Sequence, residues 1–310
     1  ALIDRLVATY DEPFADSSAL PTFRLCEMAR RHVKVALSGD GGDEVFAGYR
    51  RHRWHLEAGR WRNVLPAALR APVFGALAAS WPQRQWWPRP LRARATFESL
   101  ALDPIEAYRQ SVNLLPDATR WQIYSRSFRR ALQGYHAREV FSRHLQDAPE
   151  EPLARVQYLD LKTYLPGDIL VKVDRASMAH GLEVRAPLLD HELVEWATRL
   201  APRQRLQGGV GKFVLKRAVA PWLPPEVPGR PKQGFGVPLA AWFREGLRER
   251  LHAALTSRVL SDTGLFDSSA LQRLFDAHQA QQRDHSAVLW ALLLLESFFR
   301  QQPQASSAWC

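Results

Sequence analysis

Helical spacing dominates the hydrophobic pattern of this chain. Leu2, Ile3, Leu6 and Val7 fall on one face of a predicted helix over residues 1–10, and a second helix is predicted over 20–31, after the polar, proline-broken run DEPFADSSALPT. VKVAL, residues 33–37, alternates and then runs apolar, which predicts a short buried strand. A helix enters at about Asp43. Residues 53–150 are helical in pattern, rich in arginine and interrupted by Pro66, Pro72, Pro82, Pro88, Pro90 and Pro104; they hold no catalytic constellation. A helix over 156–164 is expected to end at Pro166-Gly167, and another over 169–181 to stop at Gly181. Asp190 is placed to N-cap a helix over 192–200. Residues 211–222 read as helix, 224–238 as loop, and the chain is helical again from 239. AVLWALLLL, residues 287–295, is about half of what a bilayer span needs, so it predicts a buried C-terminal helix. Helix, strand, Gly-rich turn and helix is α/β grammar within a mostly helical chain.

With 310 residues, 46% hydrophobic and 24% charged, the chain can bury a sizeable core and has the composition of a globular domain. It begins on Ala1 and carries no signal-peptide layout. Cys26 and Cys310 are too few and too far apart for a disulfide framework or a zinc site, which fits a reducing cytosol and a cytoplasmic location. The net charge of +10 invites a nucleic-acid reading, but only six of the 42 basic residues are lysine and the arginines spread along the whole chain. The patches RRHR (residues 50–53) and RPLRAR (89–94) lack the aromatic and basic alternation of a single-strand platform, and Trp86-Trp87 lies in a proline-broken context. Neither nucleic acid nor a membrane is therefore an expected partner.

The candidate chemistry lies in LSGDGGDEVFAGY, residues 37–49. A strand running into this turn puts Ser38, Gly39, Gly41 and Gly42 at the strand's carboxyl end, where open parallel sheets bind ligands. Glycines let a backbone approach phosphate closely, and amides opening a helix favour anions. Asp40, Asp43 and Glu44 would repel a phosphate unless a divalent cation stood between them, and Mg²⁺ is held by one or two carboxylates together with phosphate oxygens. The competing reading is an acidic helix N-terminus favoured by the macrodipole. The turn is neither a Walker A sequence nor a GxGxxG fingerprint, and it lacks the ladder of a calcium loop.

SGDGGDEVFAGY resembles the signature of the synthetase domain of glutamine-dependent asparagine synthetases. DEPFADSSALPTF upstream, and LPGDILVKVDRASMAHGLEVRAPLLDHELVE and GKFVLKRAVAPWLPPEVPGRPKQGFGVPLAAWF downstream, resemble further blocks of that family in the family's order. The resemblance covers most of the chain outside 53–149. It implies an α/β fold of the adenine nucleotide alpha hydrolase-like class, Rossmann-like and an ATP pyrophosphatase, over residues 1–310, with 53–150 as a helical arginine-rich segment inside it. It also implies ATP-dependent amide formation on aspartate through β-aspartyl-AMP, with ammonia from glutamine, giving asparagine, AMP and pyrophosphate. ATP and magnesium are the implied cofactors. By position, Ser38 and Gly39 match the AMP-contacting Ser-Gly, with Gly41 and Gly42 completing the turn. Asp43 matches a magnesium carboxylate, and Glu44 follows it, either orienting it or lining a route for ammonia. Asp40 stands where the family has Glu, at a position tied to the acyl-adenylate. Lys232, in RPKQGF, matches a catalytic lysine that stabilises charge on the α-phosphate, as a fixed cation in a dry site does.

The same chemistry serves β-lactam synthetases, peptide cyclases and surface-polysaccharide amidotransferases, and a non-catalytic scaffold is a third reading. The family's SGGxDS phosphate loop and its N-terminal glutaminase domain do not occur in these residues. The expectation is accordingly a truncated synthetase domain that is inactive alone, exposes sheet edges, works with its own glutaminase domain in the longer protein, and is compatible with a homodimer. His52 and His55 are expected on a solvated helix face, Glu183 and Arg185 as a structural pair, and Ser17 and Ser18 without a hydrolase triad.

Overall fold

The computed structural model describes residues 2–81, 93–230 and 234–301. Helices α1 (Leu2–Thr9) and α2 (Ala19–Ala29) lead to strand β1 (Val35–Leu37), the short helix α3 (Gly42–Val45) and helix α4 (Arg50–Arg62). Strand β2 (Glu183–Arg185) pairs with β1 in parallel, in the register Val35–Glu183, Ala36–Val184 and Leu37–Arg185. A second, antiparallel pair joins Leu206–Gln207 to Val210–Gly211 across a Gly208-Gly209 turn.

The main core gathers α1, α2 and the C-terminal helices. Leu6, Phe23, Phe243, Leu251, Leu289, Trp290 and Leu293 are almost wholly buried in it. The apolar run at 287–295 lies within the helix Ser286–Gln301 and buries most of its side chains, as its pattern predicts. A smaller cluster of Ala47, Tyr108, Leu153 and Val156 ties α4 to the helices that follow, and a third joins Val45 and Phe46 to Ala197. The described part of 53–150 is helical, with Pro66 immediately before Ala67–Ser80 and Pro104 opening Pro104–Val112, where proline fits best. Pro72 is accommodated inside Ala67–Ser80. Pro82, Pro88, Pro90 and the Trp86-Trp87 pair lie outside the described residues.

Two expectations need correction. The first concerns β1, whose outward side chains are open: Val35 is 42% and Leu37 73% exposed. Among the described residues the parallel sheet has only two strands, so its Ala36–Val184 face meets the core while the opposite face is uncovered. The second concerns the break predicted at Pro166-Gly167. Pro152–Leu159 continues through a π-helix, Asp160–Leu170, into Val171–Met178 without a stop. A π-helix shifts the hydrogen-bond register by one residue, and within that register Pro166 lacks a donor but does not end the helix.

Candidate functional site

The site is built on the parallel register. Ser38 N–H donates to Arg185 O at 2.8 Å, extending the β1–β2 ladder by one step and fixing where the turn begins. Gly41 adopts φ +82, and a Cβ there would overlap the side chain of Leu189. Glycine at 41 thus answers both a left-handed backbone and a close packing contact. Gly42 is buried against Leu188, and its amide is used internally, donating to Gly39 O at 3.2 Å. Gly39 has open space around its Cα, and the Oγ of Ser38 is enclosed with no hydrogen-bond partner.

Three cavities meet at this turn. A cavity of about 600 Å³ is walled by Ser38, Gly39, Asp40, Gly41, Asp43 and Glu44, with α2 and the π-helix opposite, so the structure brings six of the predicted site residues together. Gly42 is not among its walls. Ser38 and Asp40 also face a second cavity of about 570 Å³ beside Asp174 and Glu183. Asp43 and Tyr49 border a third, of about 790 Å³, into which Arg50, Arg53, Lys212, Lys216 and Arg230 converge against Glu57. Lys232 lies outside the described residues; Gly234 and Phe235, which follow it closely, line the first cavity.

Asp43 does not stand alone. Lys212 Nζ lies 3.1 Å from its carboxylate, held by a backbone in which Lys212 and Ala47 both adopt positive φ and Lys212 N–H donates to Phe46 O at 2.8 Å. Two non-glycine residues in the left-handed region beside one carboxylate are strain that the surrounding packing must hold. Sequence reasoning left Lys212 out of the site. The available signal was its rarity, one of six lysines in an arginine-rich chain, within the GKFVLKRA block. Among the described residues no group of three or more His, Cys, Asp or Glu side chains is placed to hold a metal ion. A magnesium ion that shares its shell with phosphate oxygens needs only one or two carboxylates, and Asp40 and Asp43 on one cavity fit that demand.

Glu44 turns inward. It is 1% exposed and accepts a hydrogen bond from Tyr49 OH at 2.5 Å, and burial pushes its carboxyl above the usual range. Tyr49 in turn lies on the guanidinium of Arg51, 3.7 Å from its ring centre, with Tyr164 at 4.5 Å. Arg51 donates to Tyr108 OH at 3.0 Å and to Asp160 at 2.8 Å. The carboxylate of Asp160, fully enclosed, also accepts from Tyr108 OH at 2.7 Å and meets His52 Nε2 at 2.9 Å. Burial would raise Asp160, but the bonds from His52 and the charge of Arg51 bring it below the usual carboxylate range. Here the solvated-face expectation fails: His52 and His55 are both buried, and burial lowers both their pKa values. They serve the network and the core, because this face of α4 packs on the helices carrying Tyr108 and Asp160. Glu183 and Arg185 do form the expected pair, at 2.7 Å, and Asp190 caps its helix through the amides of Glu192 and Leu193. Ser18 donates to Asp16.

A sequence model of the asparagine synthase family matches residues 1–300. The chain belongs to the asparagine synthase family. Among curated relatives of this synthase-family chain, the putative glutamine-hydrolyzing asparagine synthetase of Mycobacterium tuberculosis is 35% identical over 300 residues, covering 95% of this chain and 43% of that protein. The glutamine-hydrolyzing asparagine synthetase 1 of Bacillus subtilis is 26% identical over 297 residues, covering 94% of this chain and 44% of its own length. Amidase chyE of Penicillium rubens is 24% identical over 290 residues. The chain thus spans less than half the length of the curated relatives it matches. No helix among the described residues is long and apolar enough to cross a membrane.

Proposed function

We propose that this chain is the synthetase part of an enzyme that activates the side-chain carboxylate of aspartate with ATP and passes it to ammonia, giving asparagine, AMP and pyrophosphate. In this reading the fold is a Rossmann-like, adenine nucleotide alpha hydrolase-like domain, with 53–150 a helical segment within it, acting in the cytoplasm. The ammonia comes from glutamine through a glutaminase domain of the whole protein. The observation that carries the reading is Ser38. Its enclosed Oγ has no partner, it sits at the carboxyl end of a parallel strand beside the bare Gly39, and it shares one cavity with Asp40 and Asp43.

Ser38 and Gly39 would then hold the AMP half of the nucleotide. The pyrophosphate half would point past Asp43 toward Lys212, where the third cavity carries a surplus of cations. Magnesium, when bound, neutralises phosphate charge, and Asp43 would hold it. Departure of pyrophosphate builds negative charge on oxygen, which fixed cations stabilise directly; Lys212 and Lys232 are the residues proposed for it. Acyl transfer to ammonia releases one proton, and Asp40 and Glu44 are the carboxylates on that cavity able to take it.

The test follows pyrophosphate and asparagine from the full-length protein supplied with ATP, Mg²⁺, aspartate and ammonia. Both products are expected, and both should fall by about 10²-fold or more in Lys232→Ala and Asp43→Asn, as for loss of a group that stabilises transition-state charge. Pyrophosphate released with another carboxylate and not with aspartate would move the substrate elsewhere and leave the adenylation chemistry standing.

A further inference from the structure

The helix Ala67–Ser80 lines none of the three cavities described above, and its packing leaves an apolar face uncovered. One side meets the rest of the protein. Ala78 is buried there, and Phe74 stacks on Phe97 of the helix Arg94–Ala101, with 6.4 Å between ring centres. Leu69, Val73, Ala76 and Leu77 follow one another at i, i+4, i+7 and i+8, which puts them on one face, on the side away from Ala78. That face is open: Leu69 is 51%, Val73 40% and Leu77 38% exposed. The turn leading into the helix adds Trp61 and Val64, both more exposed still. Arg70 and Ser80 are the only polar residues of the helix. A helix that is apolar nearly all round is ordinarily buried, and this one is not.

The charge around this face has one sign. Between Glu57 and Glu98 the sequence runs for 40 residues with seven arginines and no acidic residue. The two acids that bound the stretch are engaged, Glu57 by Arg53 at 2.7 Å and Glu98 by Arg94 at 2.9 Å. Arg60 is exposed just before the turn, and Arg70 flanks the apolar face, its enclosed Nε without a hydrogen-bond partner. Two copies meeting here would bring like charges together, because a two-fold interface apposes the same patch. A nucleic acid would set phosphates against apolar side chains where it needs cations. An anionic bilayer surface suits both halves of the pattern. Its acyl boundary takes the apolar face, and its headgroups take arginines whose stems reach outward from the helix. With 14 residues the helix is too short to span a bilayer, which takes about 20.

We propose that the helix Ala67–Ser80 docks on an anionic membrane surface, with Leu69, Val73 and Leu77 at the acyl boundary and Arg60 and Arg70 on lipid phosphates. The protein is thereby held to the membrane without crossing it. This replaces the sequence expectation that no membrane takes part. That expectation rested on the length of the apolar runs, which detects a spanning helix and not one that lies in the interface. The inference is independent of the adenylation reading, since none of these residues borders the Gly-rich turn.

The experiment is co-sedimentation of the full-length protein with vesicles of phosphatidylcholine alone and of phosphatidylcholine mixed with phosphatidylglycerol. The wild-type protein should sediment with the mixed vesicles, much less with the neutral ones, and less again as salt is raised. Val73→Gln and Leu77→Gln should each lower partition onto the mixed vesicles about tenfold, the effect of withdrawing one apolar side chain from the acyl boundary. Arg70→Gln should lower it about fivefold, as for one cation near an anionic surface. Val73→Ile, which keeps the apolar face, should retain it. These side chains are exposed, so the melting temperature of each variant should stay within about 2 °C of the wild type, which separates lost docking from lost folding. Three results would overturn the proposal. They are a wild-type protein that stays in solution or binds both vesicle types equally, glutamine variants that bind as well as the wild type, and a dimer in sedimentation velocity that the same variants dissociate. The last would assign the face to a second copy.

Discussion

Asp168 ties stability to pH through a single proton. Its ordinary carboxylate value applies in the unfolded chain, whereas in the folded protein burial first, and then Asp16, hold it at about 7. Between about pH 4 and pH 7 the folded state therefore keeps a proton that the unfolded chain has released. Stability from this group is full below the unfolded value and is lost as pH rises through the folded one. Lys172 and Arg51 oppose the shift, but they do not cancel it. Asp168→Asn cannot ionise, so its melting temperature should gain on the wild type by about 2–4 °C as pH is raised from 5 to 8. A constant difference across that range would show that Asp168 titrates normally in the folded protein. At this scale the sequence was partly legible. Asp43 and Asp40 could be picked out from the turn, while Asp168 and Asp16 sit about 150 residues apart in sequence and meet only in the fold.

The element that organises the site's back wall is the unbroken helix running from Pro152 through the π-helix to Met178. It presents Asp160 to the Arg51 network and Asp168 to Lys172 and Asp16. Three donors converge on the enclosed Asp160 carboxylate. Removing it leaves Arg51 unpaired beneath two tyrosine rings, and breaking a buried pair in this way costs about 3–5 kcal/mol. Asp160→Ala should lower the urea midpoint accordingly, and a change below about 1 kcal/mol would mean that solvent or another group satisfies Arg51. Proline followed by glycine ordinarily reads as a helix stop, and the register shift that absorbs Pro166 has no pattern of its own in hydrophobic spacing. β1 errs in the opposite direction. Its apolar residues read as buried, but a strand is covered only by what packs on each face, and among the described residues the face of Val35 and Leu37 stays largely open.

Across the whole molecule, the three cavities around residues 38–49 are separated by very little protein. Asp43 and its ion pair with Lys212 stand between the cavity of Ser38 and the cation-lined one. If the nucleotide lies across that boundary, Lys212 is as important as the lysine of RPKQGF. Lys212→Met should lower pyrophosphate release by about 10²-fold, a loss typical of one fixed charge removed from a site where charge develops. Lys216→Met, on the same helix but one turn further on, should change it far less. Equal effects would point to a diffuse electrostatic attraction in place of a placed charge. The segment 53–150 also finds a purpose at this scale, since Tyr108 reaches from it to Asp160 and so braces Arg51 and Tyr49 against the cavity.

The sequence by itself determined the helices with strong apolar periodicity, the strand-turn-helix that carries Ser38 to Glu44, the cap at Asp190 and membership of the asparagine synthase family. These depend on residues close together in the chain, where spacing dictates backbone conformation and glycine marks a turn. Tertiary structure alone decided that His52 and His55 are buried, that Lys212 pairs with Asp43, that the helix continues through Pro166, and that Asp16, Lys172 and Asp168 form one cluster. Each of these turns on which groups remain in contact with water and which charges face one another after packing. Burial and Coulomb energy depend on distance through space, and a linear pattern does not carry that distance.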